Sequence, residues 1–123
     1  MEITLLENVL LSEFGPKIVS VPTEVPFSAM VMTVRIVKAI CPQTEGLVDI
    51  WVEGSYDGRT WLTTGLPSVS QELSPPGDDV GPVDLVSSAA APVYSQVRVV
   101  AQYSGENASV SLAFAKLTFT RKH

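Results

Sequence analysis

Four windows of the chain alternate between apolar and polar residues. In AMVMTVRIVKAI (29–40), Met30, Met32, Val34 and Ile36 share one phase, while Thr33, Arg35 and the smaller Ala29 take the other. In GLVDIWVEGS (46–55), Val48, Ile50 and Val52 alternate with Asp49, Trp51 and Glu53. VYSQVRVVAQYS (93–104) sets Val97, Val99, Ala101 and Tyr103 against Gln96, Arg98 and Gln102. Period-two alternation is the pattern of a strand with one buried face. In ASVSLAFAKLTFTR (108–121), Val110, Leu112 and Phe114 are in phase, but Leu117 and Phe119 fall on odd positions. A one-residue slip turns every later side chain to the opposite face. Either a bulge near Ala115–Lys116 restores the register, or the strand crosses there from one sheet to another. CPQTEG (41–46) and GEN (105–107) read as the connections of two antiparallel pairs.

The remaining segments carry weaker patterns. Residues 65–92 are rich in proline, with LSPPGDDVGP at their centre, and leave room for short strands near 68–73 and 82–87. At the N-terminus, Ile3, Leu6 and Leu10 fit a helical stripe, whereas Ile3 and Leu5 fit a strand. Gly15-Pro16 ends either element, and KIVSV reads as a strand immediately after it. Seven to nine short strands separated by turn signals predict an all-β fold, an antiparallel β-sandwich of jelly-roll type. One domain spans 1–123, with 1–14 as an arm or edge element contacting a neighbour.

Composition supports a packed core and narrows the partners. Of 123 residues, 46% are hydrophobic and 17% charged, enough apolar material for a core. Eight Lys+Arg against thirteen Asp+Glu give a net charge of −5, which argues against a nucleic-acid partner. No apolar run approaches the roughly 18 residues of a membrane-spanning helix. Met1-Glu2 offers no basic start for a signal peptide, and Glu7 and Glu13 interrupt the apolar residues between Ile3 and Phe14. The single cysteine, Cys41, forms no intrachain disulfide, so synthesis in the cytoplasm is expected.

The densest local signal is EGSYDGRTW (53–61). Asp57-Gly58 suits a two-residue type I′ turn, which needs φ > 0 at both central positions. Counting outward, Tyr56 faces Arg59, Ser55 faces Thr60, and Gly54 faces Trp61. Gly54 is in phase with Val48, Ile50 and Val52, so Trp61 is expected in the core, its ring covering the strand glycine. The same count leaves Trp51 on the polar face beside Asp49 and Glu53. There it is either covered by a loop or the second layer, or exposed as an anchor for a partner. The N-terminal Leu5, Leu6 and Leu10 are further interface candidates, because ITLLENVLL is more apolar than a free terminus should expose.

Little chemistry is visible. The only histidine is His123, at the end of the chain, which argues against a histidine-based triad or metal cluster. Cys41 precedes a proline and has no histidine to activate it. Asp78, Asp79 and Asp84 fall in one acidic loop by this reading but lack the spacing of a calcium loop. Asn107-Ala108-Ser109 is a glycosylation sequon by pattern alone. No catalytic residue, cofactor or metal is predicted, and the expectation is a protein that is not an enzyme.

VDIWVEGSYDGRTW, then YSQVRVVAQYSG and a final VSLAFAKLTF, together resemble small β-sandwich structural proteins of tailed bacteriophages. These carry an S-x-D-G-x-x-W hairpin followed by a Y-x-x-V-R-V strand. The resemblance covers roughly residues 29–120 and implies a virion component: a capsid decoration protein or a head, tail or fibre accessory. It would be made in the host cytoplasm, form homo-oligomers and bind a major capsid or tail protein. The same words also resemble discoidin-like carbohydrate-binding modules, which carry S-x-D-G-x-x-W and a later R-Y-V-R strand. Here the strand reads YSQVRV, without the arginine before the tyrosine, and nothing before Ala29 matches their first strand and calcium loop. A carbohydrate-binding β-sandwich is therefore the alternative expectation.

Overall fold

A computed structural model of the chain describes residues 2–12, 17–24, 29–40, 46–73, 82–90, 94–104 and 109–120. Among them are nine strands and no helix: β1 (Glu2–Ser12), β2 (Ile18–Val19), β3 (Thr23–Glu24), β4 (Ala29–Ile40), β5 (Gly46–Ser55), β6 (Ser68–Leu73), β7 (Val83–Ala90), β8 (Gln96–Ser104) and β9 (Ser109–Thr120). They form two antiparallel sheets, in the orders β1-β9-β4-β7 and β2-β8-β5-β6, with β3 also pairing β8. First strand pairs with last, the next two with the penultimate, β4 with β7 and β5 with β6. That nesting of pairs within pairs is the jelly roll.

The alternation places the core. Met30, Met32, Val34 and Ile36 point inward from β4, and Val48, Ile50 and Val52 answer from β5 in the facing sheet. Val97, Val99, Ala101 and Tyr103 of β8 complete that side, and Val110, Leu112, Ala115, Leu117 and Phe119 of β9 complete the other. Burying a side chain of this kind stabilises the fold by about 1.5–3 kcal/mol.

The phase slip in the last strand is a bulge, and the strand stays in one sheet. Arg35 pairs with Phe114 but Ile36 with Leu112, so Ala113 has no partner on β4, and Val37 is skipped in turn before Lys38 meets Ser111. The inward run resumes at Ala115. The bulge therefore sits at Ala113–Phe114, slightly before the expected place, and Phe114 is turned out of the core. It is covered instead by Arg35 and Lys116, whose charges lie 5.5 and 5.2 Å from the ring centroid.

The N-terminal segment is a strand, not a helix. The β1–β9 register shifts between Thr4 and Leu6, and Asn8 takes a left-handed φ of 53°. These irregularities destroy the simple alternation. Leu6 and Leu11 are buried in the core and Leu5 packs partly against it, whereas Leu10 remains 62% exposed. Leu6 is therefore a core residue rather than an interface residue. At the edge of the other sheet, β2 and β3 are two pieces of one interrupted strand along β8. Ser20 bridges the break: its N–H donates to the Val99 carbonyl at 2.9 Å, and its Oγ accepts from the Val99 N–H at 2.8 Å.

Candidate functional site

The stretch 53–61 does not close as a two-residue hairpin. Gly58 has a φ of 77°, but Asp57 is not left-handed, which rules out the type I′ turn. Gly54 instead exchanges two backbone hydrogen bonds with Leu62, at 2.7 and 2.8 Å, and the residues between them form an open loop. Side chains build that loop. The Asp57 carboxylate accepts from the backbone N–H groups of Arg59 and Thr60 at 2.8 and 2.9 Å and from the Ser55 hydroxyl at 3.1 Å. The buried Ser55 Oγ accepts in turn from the Gly58 N–H at 2.8 Å. Donors converging on one carboxylate favour its charged form, so Thr60, Arg59 and Ser55 hold Asp57 below its ordinary pKa.

The one-residue change of register moves Trp61. It is half-buried and lies outside the core, with the Arg98 guanidinium 4.1 Å from its ring centroid. The space beside Gly54 is filled by an aromatic ring, as expected, but the ring is Tyr94. A Cβ at residue 54 would overlap Tyr94 Cγ and Cδ2. Tyr94 is buried, and its hydroxyl donates to the Thr64 carbonyl at 3.0 Å, while Ser95 donates to the carbonyls of Ser55 and Tyr56. The residues leading into β8 thus fasten the loop to the sheet.

On the outer face of the β2-β8-β5-β6 sheet, these residues join a continuous array. Glu53 faces Arg98 across the β5–β8 pair, and the guanidinium reaches Glu53 Oε1 through Nε at 2.9 Å and Nη2 at 2.8 Å. Glu53 Oε2 accepts from the Trp51 indole N–H at 3.2 Å. Lys17 places its ammonium 5.4 Å from the Trp51 ring centroid. Val100, between Trp51 and Val19 in the register, points outward yet is only 1% exposed. Trp51 therefore covers an outward-facing valine while one edge of it borders open space.

That space is a groove of about 370 Å³. The register builds it from two rows: Gln102, Asp49 and Ser70 in one, and Trp51 and Ser68 in the next. Leu66 and Pro67 line its apolar end. Glu53, Asp57 and Asp84 are all engaged in hydrogen bonds or ion pairs. Asp49, by contrast, is half-buried in the groove, and neither it nor the Gln102 amide has a side-chain hydrogen bond among the described residues. Asp49, Gln102, Ser68 and Ser70 carry no motif in the sequence. The pairing of Glu53 with Arg98 becomes legible only once the β5–β8 register is known, and Tyr94, although it opens the Y-x-x-V-R-V pattern, carries no signal that it packs on Gly54.

The outer face of the other sheet has a different character. Near one end, Leu10 (62% exposed) and Val37 (47% exposed) border a shallow depression of about 420 Å³ that also takes in Asn8, Ser111 and Ala113. The left-handed Asn8 and the skipped Val37 and Ala113 lie in this same corner. Further along the face, Arg35 binds both carboxylate oxygens of Asp84, at 2.7 and 2.9 Å. The pair holds the Asp84 pKa below and the Arg35 pKa above the ordinary values, through the hydrogen bond first. Asp84 thus belongs to β7 rather than to an acidic loop. Asp78, Asp79, Cys41, Asn107 and His123 lie outside the described residues. Comparisons with protein-family models, with curated proteins and with solved structures find no match to the chain.

Proposed function

We propose that the chain is a non-enzymatic structural module of a phage-like particle, a capsid decoration or head/tail accessory protein. It acts by protein–protein contact with a major capsid or tail protein and with copies of itself. The observation that carries this reading is the bulged corner of the β1-β9-β4 face. There the irregular backbone at Asn8, Val37 and Ala113 presents Leu10 and Val37 to solvent. Exposed apolar groups gathered on a surface depression mark contact sites, and locally strained backbone concentrates where a function requires it. The resemblance of VDIWVEGSYDGRTW and YSQVRVVAQYSG to phage β-sandwich proteins supports the same reading. Assembly on a particle surface would place the protein in the virion after synthesis in the host cytoplasm.

Sedimentation of the pure protein, alone and mixed with particles from the same genome, tests this. Self-association or co-sedimentation is expected, and Leu10→Glu, which leaves the core untouched, should abolish it. A strict monomer that ignores those particles sinks the proposal.

A further inference from the structure

We infer that the groove along Trp51 is a binding site for a neutral, polyhydroxylated ring of the kind found in carbohydrates. Its shape comes from the sheet itself. Gln102, Asp49 and Ser70 are cross-strand neighbours on β8, β5 and β6, so their side chains stand in a row with about 4.8 Å between strands. This row offers a carboxylate that only accepts hydrogen bonds, an amide that donates and accepts, and a hydroxyl that does both. Such a set matches ring hydroxyls, which also donate and accept. The next row supplies Trp51, whose open indole edge borders the groove and adds an apolar rim against the C–H groups of the ring. The indole is held in place, because its N–H is bonded to Glu53 at 3.2 Å and Glu53 is anchored by Arg98. At about 370 Å³ the groove lies at the small end of ligand sites, which span roughly 300–1,000 Å³, and suits one or two rings rather than a long chain.

Charge selects within that class. An anionic ligand meets the Asp49 carboxylate, and among the described residues no cationic side chain lines the groove. A cationic ligand is opposed by Lys17, whose ammonium already occupies the attractive position over the Trp51 ring. A neutral ligand avoids both penalties and leaves the Asp49 carboxylate to accept hydrogen bonds from ring hydroxyls. The groove is separate from the proposed assembly surface, which lies on the other sheet.

Two-dimensional NMR of the full chain tests it, with three sets of probes. The first contains neutral hexoses and their disaccharides (glucose, galactose, mannose, lactose, cellobiose). The second and third contain the uronic acid and the amino sugar of the same rings. At least one neutral sugar should give saturable shifts in the Trp51 indole N–H and in the amides of Asp49, Ser70 and Gln102. Its charged analogues should bind several-fold more weakly. Asp49→Ala and Ser70→Ala remove no core packing and should weaken binding, by about tenfold or more for the carboxylate, as loss of a charged hydrogen-bond partner does. Trp51→Ala should abolish binding, and the other two variants keep the test meaningful if Trp51→Ala fails to fold. If no neutral sugar shifts these signals at tens of millimolar, or if the amino sugar or uronic acid binds best, the inference is wrong. It is equally wrong if sugars do nothing and Trp51→Ala or Asp49→Ala instead weakens association with particles, since the groove would then be a protein contact. Failure of sugar binding alone leaves the assembly proposal standing.

Discussion

Two residues decide how the 53–62 segment folds. At Gly54 the Tyr94 ring lies where a Cβ would be. Gly54→Ala should therefore destabilise the protein by about 1–3 kcal/mol, as overpacking of a filled site does. The loss should shrink in a Tyr94→Ala background, and denaturant titration of the double-mutant cycle measures the coupling. Equal losses in both backgrounds would show that the ring and the glycine are independent. Asp57 is the other. Its pKa is lowered from 3.8 by the hydrogen bonds it accepts in the folded state. A carboxylate depressed on folding contributes stability that is fully present above its unfolded pKa and lost as pH falls through the folded one. The melting temperature of Asp57→Ala should lie below that of the wild type at neutral pH, and the gap should close below about pH 4 as the wild type loses its advantage. A gap that persists undiminished into strong acid would mean that the loop does not depend on the ionised carboxylate.

The individual strands separate what alternation can tell from what it cannot. β4 as far as Ile36, β5 and β8 keep their phase, and their inward residues are legible directly from the sequence. β9 is legible apart from its bulge, because Ala113 and Phe114 are apolar on both sides of the slip and nothing local marks which one is turned out. β1 is ambiguous because the shift at Leu5 and the left-handed Asn8 break its period twice in eleven residues. The loop after β5 departs from the expected hairpin although Asp-Gly is a strong turn signal. Here Asp57 satisfies backbone N–H groups further along, which lengthens the connection and moves Trp61 to the outer face. Tyr94 lies forty positions from Gly54, beyond any local rule, and the groove row of Gln102, Asp49 and Ser70 exists only through pairing. Stability measurements check these placements. Leu6→Ala should cost about 2–5 kcal/mol and Leu10→Ala no more than about 0.5 kcal/mol. Similar values for the two would return the N-terminal segment to the status of a loose arm. Trp61→Ala should cost less than Ile50→Ala, because the half-buried indole loses its stacking on Arg98 whereas Ile50 is fully enclosed. The reverse order would place Trp61 back in the core.

At the scale of the whole molecule, the jelly roll is dominated by pairings between distant parts of the chain. Apart from β5 with β6, whose residues are near neighbours in sequence, each hydrogen-bonded pair joins strands separated by other strands. Folding of such topologies is slow, on the order of milliseconds to seconds, because long loops must close before contacts compensate. Stopped-flow refolding should fall in that range, and a microsecond relaxation would be incompatible with this sheet order.

The pairing of β1 with β9 also has a consequence during synthesis. Of the nine strands β1 is synthesised before the others, and its partner β9 after them. About a hundred residues separate them, so at translation rates of roughly 5–20 residues per second β1 waits some 5–20 s with its leucines uncovered and its edge open. Over that interval β1 presents an unpaired edge, and the left-handed Asn8 interrupts the regular row of backbone groups that another strand would need in order to pair with it.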